Sequence, residues 1–129
     1  MKKYTSVLIA LVLLLIFGFA GCNSNGREYY PDIVIDLQNP GEKIIIKEWR
    51  FLMGSGAEVY YVKDSAKPVL LGKTTGGDDG FCPFNEGLYE VSQEDGTVTV
   101  KWCFQPSSPD RSNWKSKTFN LSSAAIGNK

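Results

Sequence analysis

Beyond residue 30 the chain consists of short runs in which apolar and polar residues alternate, and turn-forming segments separate these runs. The alternation has the two-residue period of a half-buried strand, and β-branched and aromatic residues fill many of its apolar positions. No window after residue 30 shows a helical period. The predicted strands cover residues 32–37, 43–52, 58–63, 69–73, 88–93, 97–104 and 117–121. Short connections between them predict an all-β domain, a small antiparallel meander that closes as a sandwich or a barrel.

The segment 88–104 predicts a β-hairpin in the most detail. Its Asp95-Gly96 dipeptide suits a two-residue type I′ turn, because both central positions of that turn need a positive φ. With these residues at the tip, the alternation divides the hairpin into a core face and an outer face. The core face carries Tyr89, Val91, Val98, Val100, Trp102 and Phe104. On the outer face Glu90 lies opposite Lys101, which predicts a cross-strand ion pair that contributes at most about 1 kcal/mol.

The N-terminus has the layout of a secretory signal peptide. Lys2 and Lys3 give a positive start, residues 7–17 are all apolar, and small residues precede Cys22. The tetrad Phe-Ala-Gly-Cys that ends at Cys22 resembles the lipobox of bacterial lipoproteins, although its phenylalanine replaces the usual aliphatic residue. The alternative is an uncleaved membrane anchor, for which the apolar run is slightly short, since a crossing needs about 20 residues.

The resemblance to bacterial lipoproteins implies that the Cys22 thiol carries a diacylglyceryl group and that the chain is cut just before it. Residues 1–21 are then the signal peptide, and residues 22–28 are a lipidated N-terminus with a flexible tether. Residues 29–121 form a single β domain, and residues 122–129 form a frayed tail. The implied partner is a membrane. The implied location is the cell membrane or the outer membrane, facing outside the cytoplasm, and the sequence leaves the Gram-positive or Gram-negative type of the envelope open.

With Cys22 assigned to the lipid, Cys82 and Cys103 can pair in one way only. Secretion places both thiols in an oxidising compartment, which favours a Cys82–Cys103 disulfide. Such a bridge would clamp the loop around Phe81 and Phe84 over the hairpin and contribute about 3 kcal/mol. The alternative is two free thiols, as in an anaerobic host that lacks an oxidase.

The composition excludes several kinds of chemistry. The 129-residue chain has 14 basic and 14 acidic residues, and two of its lysines lie in the signal segment, so the mature part lacks the basic surplus that nucleic-acid binding needs. It contains no histidine, which excludes Ser-His-Asp and Cys-His catalysis and imidazole metal ligands. Three cysteines are too few for a thiolate zinc site. The sequence therefore predicts no enzyme activity and no cofactor.

A carboxylate cluster lies at Asp78 and Asp79, in a glycine-rich loop with Glu86 nearby. Oxygen ligands of this kind could hold Ca²⁺. The acidic spacing of an EF-hand is absent, so a solvated turn is the favoured interpretation and no metal site is predicted. Glycoside hydrolysis is also disfavoured, because adjacent exposed carboxylates lack the surroundings that raise the pKa of a catalytic acid.

Aromatic residues supply the candidate binding surface. Tyr60 and Tyr61 point to opposite faces of one predicted strand, so at least one leaves the core unless both faces are covered. Trp114 ends a long polar connection. Exposed aromatics are typical of recognition surfaces, so Tyr60 and Trp114 are the candidates for contact with a protein, a peptide or a glycan. The alternative is that both residues fill a small β core.

Together these features predict a membrane-anchored, non-catalytic binding module with an unknown protein, peptide or glycan ligand. Two alternatives stay open. One is a protective lipoprotein that inhibits a cell-wall hydrolase or confers immunity to a membrane-active peptide, and it rests on architecture alone. The other is a structural subunit of an envelope complex, in which the exposed aromatics would face a partner.

Overall fold

The computed structural model describes residues 26–76, 80–105 and 111–126. Within these ranges the chain forms eight strands, a short helix and one turn of 3-10 helix at Arg111–Asn113. The strands and the helix are β1 (Glu28–Tyr29), β2 (Ile33–Asp36), β3 (Glu42–Phe51), β4 (Gly54–Lys63), β5 (Val69–Thr75), β6 (Tyr89–Glu94), β7 (Thr97–Cys103), β8 (Trp114–Asn120) and α1 (Leu121–Ile126). In this part of the chain, no helix has the length and apolar character needed to span a membrane.

The strands form two antiparallel sheets. The first sheet has the order β1-β3-β4-β5, and β2 also pairs with β3. The second sheet has the order β6-β7-β8. This arrangement confirms the predicted all-β fold with antiparallel neighbours. Neither sheet closes into a barrel within the described ranges.

One core fills the space between the two sheets. Buried side chains alternate with half-buried ones over most of β3, β4 and β7, as the pleat of a strand requires. The core contains Ile44, Ile46, Ala57, Val59, Tyr61, Phe84, Val98, Val100, Trp102, Phe119, Leu121 and Ala124. Complete burial of an aliphatic side chain contributes about 1.5–3 kcal/mol, so contact between the sheets stabilises the fold.

The β6–β7 hairpin has the predicted turn and register. Asp95 and Gly96 lie at φ 47° and φ 74°, and Glu94 pairs with Thr97. The predicted ion pair between Glu90 and Lys101 is wrong, because Glu90 pairs with a different residue. Glu90 contacts the guanidinium of Arg111 at 2.6 Å, and the described residues hold no Glu90–Lys101 ion pair, because Arg111 reaches the same outer face from the turn before β8.

The sequence predicted a frayed tail over residues 122–129, but the described part of this segment belongs to α1, which begins at Leu121. Asn120 caps this helix, since its side-chain oxygen accepts the Ser122 backbone N–H at 2.9 Å. Ala124 is buried in the core, and the Leu121 backbone N–H donates to the Gly96 carbonyl at 2.9 Å. The cap and the apolar contacts hold α1 against the β6–β7 hairpin.

The predicted Cys82–Cys103 disulfide is absent, and both residues are buried free thiols. The Cys82 thiol donates a hydrogen bond to the Gly80 carbonyl, with 3.4 Å between sulfur and oxygen. The Cys103 thiol donates to the Gln105 carbonyl at 3.2 Å. Contacts other than a disulfide therefore hold the loop between β5 and β6.

Candidate functional site

The β3–β4 ladder defines two ends of the molecule. It runs from the pair Glu42–Lys63 to the pair Phe51–Gly54. At about 3.4 Å per residue these pairs lie about 30 Å apart. Gly26 packs against Phe51, since a Cβ built on Gly26 would lie 2.5 Å from Phe51 Cε2. We call the Phe51–Gly54 end the tether end, after the tether that the sequence predicts at residues 22–28, and the Glu42–Lys63 end the distal end.

A pocket of about 370 Å³ lies at the distal end, and we call it the distal pocket. Four segments form it: the β2–β3 turn, the end of β4, the β6–β7 hairpin and the start of α1. Its lining residues are Gln38, Asn39, Glu42, Tyr61, Lys63, Gln93, Asp95, Gly96, Leu121 and Ser122. Tyr61 and Leu121 belong to the buried core, so the pocket joins the end of the core to a polar rim.

The β2–β3 turn places amide side chains at the rim of the distal pocket. Gly41 adopts φ 79°, which suits glycine, and the Glu42 backbone N–H donates to the Asn39 carbonyl at 3.1 Å. The Gln38 backbone N–H donates to Gln93 Oε1 at 2.8 Å, and Gln38 Nε2 donates to the Gln93 carbonyl at 3.4 Å. These bonds connect the turn in the first sheet to β6 in the second, so the rim spans both sheets.

Glu42 is the charged centre of the distal pocket. Its carboxylate accepts a hydrogen bond from Asn39 Nδ2 at 3.0 Å and lies 3.7 Å from Lys63 Nζ. Burial, together with the hydrogen bond that the Tyr61 hydroxyl donates to Glu42, raises the pKa of Tyr61 to about 12. Tyr61 therefore remains protonated at neutral pH and keeps its hydroxyl directed at the carboxylate.

The pocket residues can recognise a polar ligand through hydrogen bonds. A side-chain amide has two donor hydrogens and an acceptor oxygen with two lone pairs, so the bonds of Gln38, Asn39 and Gln93 to protein groups leave capacity for a ligand. Glu42 and Asp95 add acceptors, and Lys63 adds a donor. A ligand that carries several hydroxyl groups fits this mixture.

The structure separates the two aromatic residues that the sequence assigned to a binding surface. Tyr60 is half-buried on the outer face of the first sheet, and its hydroxyl donates to Glu58 Oε2 at 2.7 Å. Trp114 is half-buried opposite Cys103 on the outer face of the second sheet, with the Arg111 guanidinium carbon 5.1 Å from its ring centroid. The outer faces of two packed sheets point in opposite directions, so these residues do not share a surface. Neither lines the distal pocket.

Tyr60 belongs to an apolar row that crosses the first sheet. Strand register aligns Val34 with Ile45, Ile45 with Tyr60, and Tyr60 with Leu70. The two residues at the ends of the row, Val34 and Leu70, are exposed. Alternation within each strand predicts which residues face outward, but only the register between the strands aligns them in a row.

The acidic loop lies largely outside the described residues. Asp78 and Asp79 are not among them, whereas Glu86 is described and exposed. In the described ranges, no group of three or more His, Cys, Asp or Glu side chains is placed to hold a metal ion. The solvated turn at Asp78 and Asp79 stays a sequence prediction.

Glu48 is a buried carboxylate that the sequence analysis missed. It occupies an inward-facing position of β3 and is only 1% exposed. Its carboxylate accepts the backbone N–H groups of Phe84 at 3.1 Å and Asn85 at 2.6 Å. Burial raises the pKa of Glu48, while these two hydrogen bonds act to lower it. Glu48 thus attaches the loop before β6 to the first sheet, a role that the sequence assigned to a disulfide.

The residues around Glu48 do not form a nucleophilic centre. Burial, with a smaller contribution from Glu48, raises the pKa of the Cys82 thiol. A thiol with a raised pKa stays protonated at neutral pH and is a poor nucleophile. Nearby, Ser55 Oγ donates to the Phe81 carbonyl at 2.6 Å. These contacts secure the loop.

A cleft between β5 and β8 contains three lysines that already have protein partners. Lys73 pairs with Glu58 at 3.3 Å, and Lys117 Nζ donates to the Lys73 carbonyl at 2.8 Å. Lys115 Nζ lies 3.5 Å from the centroid of the Phe104 ring. These contacts disfavour the cleft as an anion site relative to the distal pocket.

No family model, no curated protein and no solved structure matches this chain. Its function is therefore inferred from the geometry of the distal pocket and from the N-terminal resemblance to lipoproteins.

Proposed function

We propose that this protein is a lipid-anchored, extracytoplasmic binding module that takes a short segment of a glycan into the distal pocket. The observation that carries the proposal is the position of this pocket, about 30 Å along the β3–β4 ladder from the tether end. A domain anchored through Cys22 can direct its distal end away from the bilayer, where a ligand of the envelope is accessible.

The chemistry of the rim supports a glycan. Sugar hydroxyls both donate and accept hydrogen bonds, and side-chain amides offer both functions on a rigid planar group. Gln38 and Gln93 are fixed to each other by two hydrogen bonds, so part of the rim is ordered before a ligand binds. The carboxylates of Glu42 and Asp95 accept hydrogen bonds from further hydroxyls.

The composition and the thiol chemistry support binding over catalysis. The sequence contains no histidine, and burial raises the pKa of the Cys82 thiol. Tyr61, with a pKa of about 12, is a poor base at neutral pH. The proposed module therefore holds its ligand without transforming it.

Thermal unfolding of the lipidated protein in detergent, with a panel of envelope glycans, tests the ligand. A ligand at 100 times its Kd stabilises the folded state by about 2.7 kcal/mol, which raises Tm by roughly 10 °C or more. Gln93→Leu should abolish most of this increase. The matched control is Ser92→Ala, because Ser92 is the neighbouring residue on the other face of β6.

Two results would contradict the glycan assignment. One is the absence of any saturable increase in Tm across the panel. The other is an equal loss of binding in Gln93→Leu and Ser92→Ala. Adding lysozyme-type hydrolases and cationic peptides to the panel identifies a protective lipoprotein, since these would then raise Tm where the glycans do not.

Intact mass spectrometry tests the anchor independently. The membrane-extracted protein should begin at Cys22 and carry the added mass of a diacylglyceryl group. Cys22→Ser should lack that mass and either stall with its signal peptide or leave the membrane. Normal membrane retention of a wild-type chain without added lipid mass would refute the anchor.

A further inference from the structure

The hairpin that joins β3 and β4 ends in three consecutive apolar residues that point into solvent. Phe51 is 41% exposed, Leu52 is 82% exposed and Met53 is 71% exposed. A run of exposed apolar residues in a turn is unfavourable in water unless it serves a contact. We call these three residues the apolar tip.

The backbone conformation of the apolar tip suits a glycine or a small polar residue better than a leucine. Leu52 adopts φ 48°, in the left-handed region that disfavours residues with a Cβ. The β6–β7 hairpin also has a two-residue connection, and it uses Asp95 and Gly96, which tolerate this region. The chain therefore has two two-residue turns whose first residue has a positive φ, and one of them carries a large apolar side chain at this strained, exposed position.

The apolar tip lies beside the point where the described domain begins. A Cβ on Gly26 would lie 2.5 Å from Phe51 Cε2, so the first described residue contacts the tip directly. Cys22 precedes Gly26 by four residues, which span at most about 14 Å when fully extended. A lipid chain on Cys22 would therefore hold the apolar tip close to the surface of the bilayer.

Aromatic and basic side chains lie next to the apolar tip on the same face of the sheet. Tyr29 pairs with Trp49 across β1 and β3, and Trp49 is two residues before Phe51, so all three side chains lie on the outer face. The Arg27 guanidinium carbon lies 4.1 Å from the Trp49 ring centroid. Tryptophan, tyrosine and arginine next to apolar residues are typical of segments at the headgroup level of a membrane.

We propose that the apolar tip inserts into the phospholipid bilayer that holds the lipid on Cys22, with Tyr29, Trp49 and Arg27 at the headgroup level. The proposal rests on the lipid anchor of the proposed function. It adds a second contact, which fixes the orientation of the domain so that the distal pocket faces away from the membrane.

A label on the lipidated, full-length protein in phospholipid vesicles tests this insertion. Leu52→Cys provides an exposed thiol for an environment-sensitive fluorophore, since Cys82 and Cys103 are buried and Cys22 carries the lipid. The emission should shift to the blue and be quenched by a quencher on the lipid acyl chains. Asp95→Cys, at the first position of the two-residue turn on the distal end, is the matched control and should show neither effect.

Transfer of the lipidated protein between vesicles gives a second measurement. The double substitution Leu52→Ser, Met53→Ser removes two apolar side chains from the tip, and transfer should become at least about tenfold faster. Leu70→Ser, an exposed residue on the outer face of β5, should leave the rate unchanged.

The outcomes separate this inference from the proposed anchor. A protein that carries the acyl mass, but whose label at position 52 behaves like the label at position 95, overturns the inserted tip and leaves the anchor intact. Equal transfer rates for the tip variant and the wild type have the same meaning. A protein without acyl mass that stays in solution overturns both.

Discussion

Glu48 is a charged residue at a core position, and the local pattern did not predict its hydrogen-bond partners. The alternation of β3 assigns this position to the core, where a charged side chain is costly unless it is hydrogen-bonded. The two backbone N–H groups of Phe84 and Asn85 meet that requirement. A buried carboxylate with a raised pKa also makes stability depend on pH.

We expect Glu48 to lower stability as pH rises. Burial raises its pKa in the folded protein above the ordinary 4.5, so the folded state binds the proton more tightly than the unfolded state. Stability therefore falls as pH increases from about 4.5 to the raised pKa and is constant above it. The fall is about 1.4 kcal/mol for each tenfold difference in proton affinity between the folded and unfolded states. Glu58 acts in the opposite sense, because the Tyr60 hydrogen bond lowers its pKa.

Urea unfolding of the wild type and Glu48→Gln between pH 4 and pH 8 isolates this effect. The difference in unfolding free energy between the two proteins should change with pH in favour of the variant as pH rises. The exposed Glu94→Gln serves as the control and should follow the wild-type curve. A pH-independent difference for Glu48→Gln would show that the carboxyl group is not perturbed.

Leu52 gives a second prediction for a single residue, in which stability and membrane contact change in opposite directions. Asparagine tolerates a positive φ better than leucine, so Leu52→Asn should stabilise the isolated protein by up to about 1 kcal/mol. Chemical denaturation in the absence of membranes measures this gain. Met53→Asn, at the neighbouring position without a positive φ, should give no such gain, and equal effects of the two substitutions would argue against strain at Leu52.

At the scale of the elements, Gly72 of β5 lies close to Phe119 of β8. A Cβ built on Gly72 would lie 2.8 Å from Cε1 of Phe119, a buried core residue. The absence of a side chain at Gly72 thus lets the edge of the first sheet pack against the second. Gly96 is required for its backbone conformation, because its φ is 74° and a Cβ built on it would meet no atom within 4 Å.

Two alanine substitutions distinguish these requirements. Gly72→Ala displaces the Phe119 ring and should destabilise the protein by about 1–3 kcal/mol. Gly96→Ala should cost about 1 kcal/mol through backbone strain alone, and Gly96→Asn should recover most of that loss. Denaturant unfolding of all three variants provides the comparison, and a Gly72→Ala variant as stable as the wild type would contradict the close approach of β5 and β8.

At the scale of the whole molecule, hydrophobic contact and hydrogen bonds hold the two sheets together without a disulfide. Trp102 and Val100 of the second sheet share the core with Ile44 and Ile46 of the first. The Gln38–Gln93 bonds connect the sheets at the distal end. Stability therefore does not depend on the redox state of the cysteines.

We expect a reducing agent to leave the unfolding temperature unchanged to within about 1 °C. A Cys82–Cys103 bridge would contribute about 3 kcal/mol, so its reduction would lower Tm by more than 10 °C. Thermal scans with and without reductant make this comparison. Thiol titration of the denatured, unreduced protein should find both thiols free, and a result of zero thiols would reverse the assignment.

The local pattern determined much of this fold. The two-residue period sets which side of a strand faces the core, and the Asp95-Gly96 turn sets the register of β6 against β7, because both depend only on neighbouring residues. The capping residue Asn120 before α1 was also a local signal, although α1 was not predicted.

Only the tertiary structure decided how the parts combine. Tyr60 and Trp114 lie on opposite outer faces because each sheet packs its inner face against the other sheet. The pattern of a strand does not specify which of the two sheets the strand joins. The distal pocket and the partners of Glu48 depend on residues that are far apart along the chain, such as Gln38 with Gln93, 55 positions apart, and Glu48 with Phe84, 36 positions apart. Contacts of that separation form only when two sheets pack together, so they are set by the whole core and not by any one segment.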